Sequence, residues 1–237
     1  MDVSVKKMVV GGIEIKVLKK PIKNLHISVH PPDGWVRVSA PLYFGEKAIR
    51  LAIIKRLSWI KKHQERIRSQ ARQSQREMVS GESHFFLGKR YILQLKEKRG
   101  KQQGVKIRGE RMYLNIRPGA DRKRRLYVLN EWYRSKLKAL LLEMVSKWER
   151  KMGVSVREFR IKRMKTRWGS CNPLARRIWL NLELVKKPPH LIEYVLVHEM
   201  VHFFEGRHNG NFKALMDKFL PNWRLYRDEL NRSQITE

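Results

Sequence analysis

One cysteine, Cys171, stands in a chain of 237 residues, which excludes an intramolecular disulfide and any structural zinc site built from this chain's own cysteines. A metal would have to be held by histidines and carboxylates. Acids are also scarce: 22 Asp and Glu face 53 Lys and Arg, a formal charge of +31, and such a balance attracts polyanions through phosphate neutralisation and counterion release. Nucleic acid is the expected polyanion. No helix-turn-helix, zinc-finger or RNA-recognition pattern occurs, so contact without sequence readout is what the charge implies; a merely solvated basic surface is the plainer alternative. Long apolar runs are missing: YVLV is far too short to span a bilayer, and the opening MDVSVKKMVVGGIEIKVLKK has charge but no continuous apolar stretch. The expectation is a soluble, cytoplasmic protein with no membrane partner. There is no repeat at a fixed period, and the oligomeric state is not legible.

What is present suffices for a sizeable core, with 42% apolar residues. Residues 3 to 18 alternate around Gly11-Gly12, and KNLHISVHPPDGWVRVSAP alternates on both sides of Pro32-Asp33-Gly34, a pattern that predicts two hairpins. Residues 45 to 68 carry apolar positions at helical spacing with Trp59 near the middle, and the polar continuation to residue 83 reads as a solvated helix end or linker. A second set of short strands follows, with Gly88, Gly100, Gly104 and Gly109 at the turns. From Asp121 to Met152 the apolar spacing predicts a long helix stopped by Gly153. SVREFRIKRM and RRIWLNLELV then read as strands flanking the loop TRWGSCNPLA. Pro188 and Pro189 open a helix that Gly206 ends, and NFKALMDKFLPNW restarts one. The expected fold class is α+β: an N-terminal β-rich region with one long helix over 1–119, then a catalytic core over 120–237 with a small antiparallel sheet.

The chemistry concentrates in VHEMVHFFEGRHNGNF, residues 197–212. His198 and His202, four apart on a helix, direct two imidazoles at one ion, and Glu199 sits beside it. Zinc held by three protein ligands keeps a position open for water, and Glu199 suits the general base of such a centre. His208, ten residues after His198, is the favoured third ligand, because all three imidazoles then fall in one helix-turn segment. Glu205, Asp217 and Glu229 are rivals for that place. YVLVHEMVHFF is apolar nearly all round, so two histidines and a glutamate there would be buried polar groups, costly without a partner. Histidine accepts several divalent ions, so the spacing alone does not fix the metal. His26, His30, His63, His84 and His190 have no such spacing.

Other candidates are less specific. RRIWLNLEL, beside the metal helix, is a candidate edge strand for holding an extended peptide. Arg167, Asn172 and Tyr226 are candidate hydrogen-bond donors to substrate or to a tetrahedral oxyanion. Phosphate contacts are assigned to Arg122, Lys123, Arg124 and Arg125, to Arg160, Lys162, Arg163 and Lys165, and to Lys186-Lys187.

KTRWGSCN at 165–172, the following strand with Asn181, YVLVHEMVHF, and His208 with Phe212 four residues on strongly resemble the YgjP-like family of zinc metallopeptidases. The hairpin around Pro32-Asp33-Gly34, Trp59-Ile60 and FLGKRY at 86–91 agree with it. The resemblance implies a compact gluzincin-like core, related to the SprT-like and WLM metallopeptidases, with one zinc on His198, His202 and His208, Glu199 as base, and a protein or peptide substrate. The metzincin pattern shares the histidine spacing but has Gly where Glu205 stands. SprT-like proteases act on proteins crosslinked to DNA, which would suit the charge. Two function classes are carried forward: a zinc peptidase recruited to DNA or nucleoprotein, and a nucleic-acid-binding accessory protein, associated with restriction-modification, in which zinc is structural.

Overall fold

The computed structural model describes residues 5–30, 33–69, 77–99 and 103–232. Residues 3 and 4 of the expected first hairpin, Pro32 of the expected turn, residues 70–76 of the polar segment and Gly100 lie outside the described residues. The chain divides into two compact units, Met1–Arg72 and Gln73–Glu237.

In the first unit, β1 (Val5–Val10) and β2 (Ile13–Lys20) are joined by Gly11 and Gly12, whose φ values of 57° and 77° give a tight turn matched to strand twist. β3 (His26–His30) and β4 (Trp35–Pro41) form a second antiparallel pair. The sheet order is β1-β2-β4-β3, with β2 and β4 parallel. Alternation puts Ile15, Val17, Val36, Val38 and Ala40 on one face, where they pack with Ile49, Ile53 and Ile60. These isoleucines come from two helices, α1 (Glu46–Lys55) and α2 (Leu57–Ser69), not from the one helix expected. Arg56 departs from helical geometry between them (φ −111°, ψ 9°), so the apolar period continues through a break in the backbone.

The second unit begins with the same topology. β5 (Ser83–Phe86), β6 (Lys89–Glu97), β7 (Gly104–Arg108) and β8 (Arg111–Ile116) order as β5-β6-β8-β7, with the central pair again parallel. Leu93, Met112, Leu114 and Ile116 from this sheet join one core with Leu129, Tyr133, Leu137 and Leu141 of α3 (Arg122–Met152). The expected division at 119/120 therefore falls inside this unit: the second sheet buries its face with the helix after it, and apolar alternation does not say which helix a sheet will meet. Asp121 caps α3, its Oδ1 accepting from Arg124 N at 2.8 Å, and Gly153 closes it with φ 67°.

β9 (Glu158–Lys162), β10 (Gly169–Asn172) and β11 (Arg177–Asn181) make a third sheet, order β10-β11-β9. β10–β11 is antiparallel but β11–β9 is parallel, so the small sheet is mixed, where an antiparallel one was expected. Two further differences bear on function. Residues 169–172, read from sequence as loop, are the edge strand, and β11, read as the edge, is central. Leu182–Lys186 is a 3-10 turn and not a strand continuation; Asn181 caps it, accepting from Glu183 N at 3.2 Å. The helices α4 (Pro189–Val201), α5 (Gly210–Phe219) and α6 (Trp223–Arg232) complete an α+β fold with mixed sheets. Among the described residues no helix is long and apolar enough to cross a membrane.

Candidate active site

The site is built on α4, which starts at Pro189, where a missing N–H leaves no hydrogen bond unmade. The β5–β6 turn fixes that start. Leu87 N and Gly88 N donate to the carbonyls of Val185 and Lys186, and a Cβ on Gly88 (φ 83°) would meet Pro188 Cγ at 2.8 Å. Nine of the thirteen residues of α4 are buried, so apolar contact holds the helix and fixes the polar groups it carries in position. It ends at Val201 with His202 as its C-cap, four residues before the Gly206 stop expected from sequence; the N–H groups of Phe203, Phe204 and Glu205 bond back to Met200 and Val201.

His198, His202 and His208 converge, with one ligand nitrogen from each lying within 4.8 Å of the others. His198 Nε2 and His208 Nε2 are 2.9 Å apart. Nitrogens on a tetrahedral zinc, at Zn–N distances of about 2.0 to 2.1 Å, lie roughly 3.4 Å from one another, so small ring rotations bring this set onto one ion. The cluster extends beyond the two histidines of H-E-x-x-H, and Glu199 is not part of it. Phe212 forms the floor: its ring lies 4.9, 4.9 and 4.6 Å from those of His198, His202 and His208. Asn209 sets Phe212 in place by capping α5, accepting from Phe212 N at 3.0 Å.

Burial keeps the His198 and His208 imidazoles neutral, the form that binds metal. Burial, then the neighbouring His202 and His208, pushes His198 down to about 3. Burial and His202 lower His208. His202 Nδ1 lies 3.0 Å from the carbonyl of Glu205, a donation that leaves Nε2 free as ligand. His198 Nδ1 is buried with no hydrogen-bond partner among the described residues, a cost to the fold at that atom. The rival third ligands are engaged elsewhere: Glu205 accepts from Arg207 N, Asp217 pairs with Arg224 and Trp223, and Glu229 pairs with His190.

Glu199 is 6% exposed and sits against β10. A Cβ built on Gly169 would lie 2.6 Å from Glu199 Oε1, 2.8 Å from Cγ and 2.9 Å from Cδ, so the carboxylate occupies the space a side chain there would take. Burial raises the Glu199 carboxyl to about 8 from an ordinary 4.5, while the Arg167 guanidinium pulls it down. The metal-free folded chain thus keeps a proton that the unfolded chain releases, so this group's contribution to stability is lost as pH rises from about 4.5 to about 8. Thermal unfolding in chelator should show the native chain losing ground to Glu199→Gln across that window, by several kcal/mol in order of magnitude at its upper end. A constant gap between the two proteins would show that Glu199 does not titrate this way.

Asn181, fully buried, holds the segment that carries Arg167 and Gly169. Its Nδ2 donates to the carbonyls of Met164 and Arg167, each at 2.8 Å, its Oδ1 accepts from Met164 N, and its own N–H donates to Trp168 O. Sequence reasoning noted Asn181 without a role; a lone polar residue ending an apolar strand was the available signal. Asn181→Leu strands these groups and should cost about 3 to 5 kcal/mol in denaturant unfolding.

Of the other candidates, Arg167 lines a cleft with His198 and Glu199. Asn172 instead closes its own turn, accepting from Ala175 N at 3.0 Å, and Tyr226 packs on His190. Tyr194 and Arg227, which sequence reasoning passed over, line the Arg167 cleft; Tyr194 stands one helical turn before His198. The basic candidates divide. Arg122 is half-buried, Arg125 is half-buried and reaches Met78 O, Arg124 bonds Gln103, Arg160 pairs with Glu158, and Arg163 lies 3.6 Å from Glu183. Lys123, Lys162 and Lys165 are exposed. Lys186 and Lys187 are half-buried, Lys186 pairing with Glu183 and Lys187 lying over the Trp168 ring.

Three converging imidazoles on and after a buried helix, with a carboxylate beside them, define a site of the metallohydrolase class. The chain belongs to the YgjP-like family: that family's metallopeptidase domain matches residues 23–233. Family and cluster together class it among zinc-dependent metallopeptidases. Among solved structures it is similar to the metallopeptidase zymogen abylysin of Pyrococcus abyssi, at 18% identity, 40% of this chain, 90% of that one and a TM-score of 0.34. It is also similar to the zymogen jannalysin of Methanocaldococcus jannaschii, at 19%, 40%, 94% and 0.34. No curated protein matches.

Proposed function

We propose that this chain hydrolyses peptide bonds, with one zinc ion held by His198, His202 and His208 and with Glu199 as general base. The observation that carries the reading is the meeting of three imidazoles beside a buried carboxylate for which Gly169 leaves room. Bound zinc supplies Lewis acidity toward a carbonyl oxygen and lowers the pKa of water. Glu199 accepts a proton from the attacking water and returns it to the leaving nitrogen. Arg167, on the same cleft, donates to the oxygen that gains charge. The free edge of β10, whose Gly169 abuts Glu199, offers backbone groups to an extended substrate.

Recruitment to nucleic acid forms the second part of the proposal. Four cations crowd the first turn of α3 against the single carboxylate of its Asp121 cap, at a helix end where cations are disfavoured and further anions are favoured. Lys123, Lys162 and Lys165 are exposed and have no hydrogen bond or ion pair among the described residues, which leaves them available to phosphate. The test is elemental analysis with cleavage of an unstructured protein, with and without single-stranded DNA. One zinc per chain, lost in Ala variants of any of the three histidines, with cleavage following the zinc, is the expected result. Stoichiometric zinc with no cleavage favours the structural-zinc binding protein, and absence of zinc removes the reading.

A further inference from the structure

We propose that the cleft beside His198 and Glu199, walled by Arg167, Arg227, Tyr194 and Asn231, is a subsite for a carboxylate of the substrate. This deepens the peptidase reading and rests on it. The cleft, of about 220 Å³, touches His198 and Glu199 but neither His202 nor His208. It therefore flanks the metal position, on the side of α6, where a group next to the scissile bond would lie.

Its chemistry is that of a donor set. Two guanidiniums line it against one carboxylate, Glu199, which the hydrolytic role already employs. The Arg167 carbonyl accepts from Asn181, but its guanidinium has no hydrogen bond or ion pair with any described residue. Arg227 is pre-oriented: its Nε donates to Asp228 Oδ1 at 3.1 Å and its guanidinium lies 5.2 Å from the centre of the Trp223 ring. That uses one of its five N–H groups and leaves its terminal amines, which match a carboxylate bidentately. Trp223 is buried and bonded through Nε1 to Asp217, so the ring that steers Arg227 is itself fixed. Tyr194, buried in α4, adds a hydroxyl with no hydrogen-bond partner among the described residues, and Asn231 adds an amide. Both guanidiniums are exposed, so in the free protein water meets them, and a carboxylate replaces that water with shorter, charge-assisted hydrogen bonds that a neutral apolar side chain does not offer.

An acidic side chain or a chain-terminal carboxylate would supply the same chemistry. The test uses the zinc-loaded full chain and unstructured peptides of alanine and serine. These carry one glutamate, one glutamine or one lysine at successive positions, each with a free-acid or an amidated end. Glutamate at one position should raise kcat/KM about tenfold or more over glutamine. If the advantage instead follows the free-acid end, the terminal carboxylate is the occupant. Arg227→Met should bring the ratio near one, and Arg227→Glu should invert it in favour of lysine peptides, which a purely structural Arg227 would not do. Equal rates for all pairs, or a preference unmoved in both variants, overturn the subsite.

If no peptide is cleaved, the peptidase reading fails separately. Calorimetry on zinc-loaded Glu199→Gln with the same peptides then decides the subsite. Tighter binding of the carboxylate-bearing member of a pair sustains it, and equal affinities overturn it.

Discussion

Glu199→Gln should lower kcat by about 10²- to 10⁴-fold while one zinc per chain stays bound. Glutamine preserves the shape of a side chain that lies beside the three-histidine cluster but outside it, so the imidazoles keep their geometry. On the proposed reading it removes the group that takes and returns the proton. The variant therefore separates the two function classes. If zinc only braces the fold, the substitution leaves the protein's activity unchanged, and it even stabilises the metal-free chain at neutral pH, since burial of that carboxyl is unfavourable. Zinc content and turnover of an unstructured protein, measured side by side, give the answer.

Gly169→Ala, and more so Gly169→Val, should abolish most turnover through a residue that bears no functional group. The added Cβ would stand 2.6 to 2.9 Å from three atoms of the Glu199 side chain, well inside contact distance. Either the carboxylate swings away from its place or β10 retreats from α4, and both outcomes misplace the base by about an ångström, which is worth about 10² in rate. Zinc affinity should hold, because no histidine ligand touches Gly169 in this way. Normal turnover in Gly169→Ala would mean that Glu199 does not act from the position seen.

The legible part of the site lies where spacing and helix geometry coincide. His198, Glu199 and His202 fall on a helix whose apolar flanks announce burial, and His208 lies within one turn segment of them. Gly169 was legible only as a letter in a family motif. Its contact joins residues thirty apart in sequence, so no local pattern could show that its missing side chain makes room for a carboxylate. Arg227 and the knot at Asn181 were hidden for the same reason, whereas Tyr194, one helical turn before His198, lay within reach of helix spacing.

In the fold, period-two alternation located the strands around Gly11-Gly12 and after Gly88. It did not reveal that both sheets share one topology, because pairing order is a long-range property and the two copies lack a shared letter sequence. The short strand Gly169–Asn172 escaped notice because Gly, Ser, Cys and Asn are not residues that favour strands; its partner β11 makes it one.

That short strand also exposes the protein to its own kind. A free sheet edge able to accept a substrate backbone is equally able to accept the edge of another copy, the first step toward aggregation. At four residues, β10 offers little length for such pairing, and a formal charge of +31 keeps like molecules apart. The excess of lysine and arginine thus protects the open edge. Salt that screens the charge weakens that protection, so copies of the chain meet more readily as ionic strength rises.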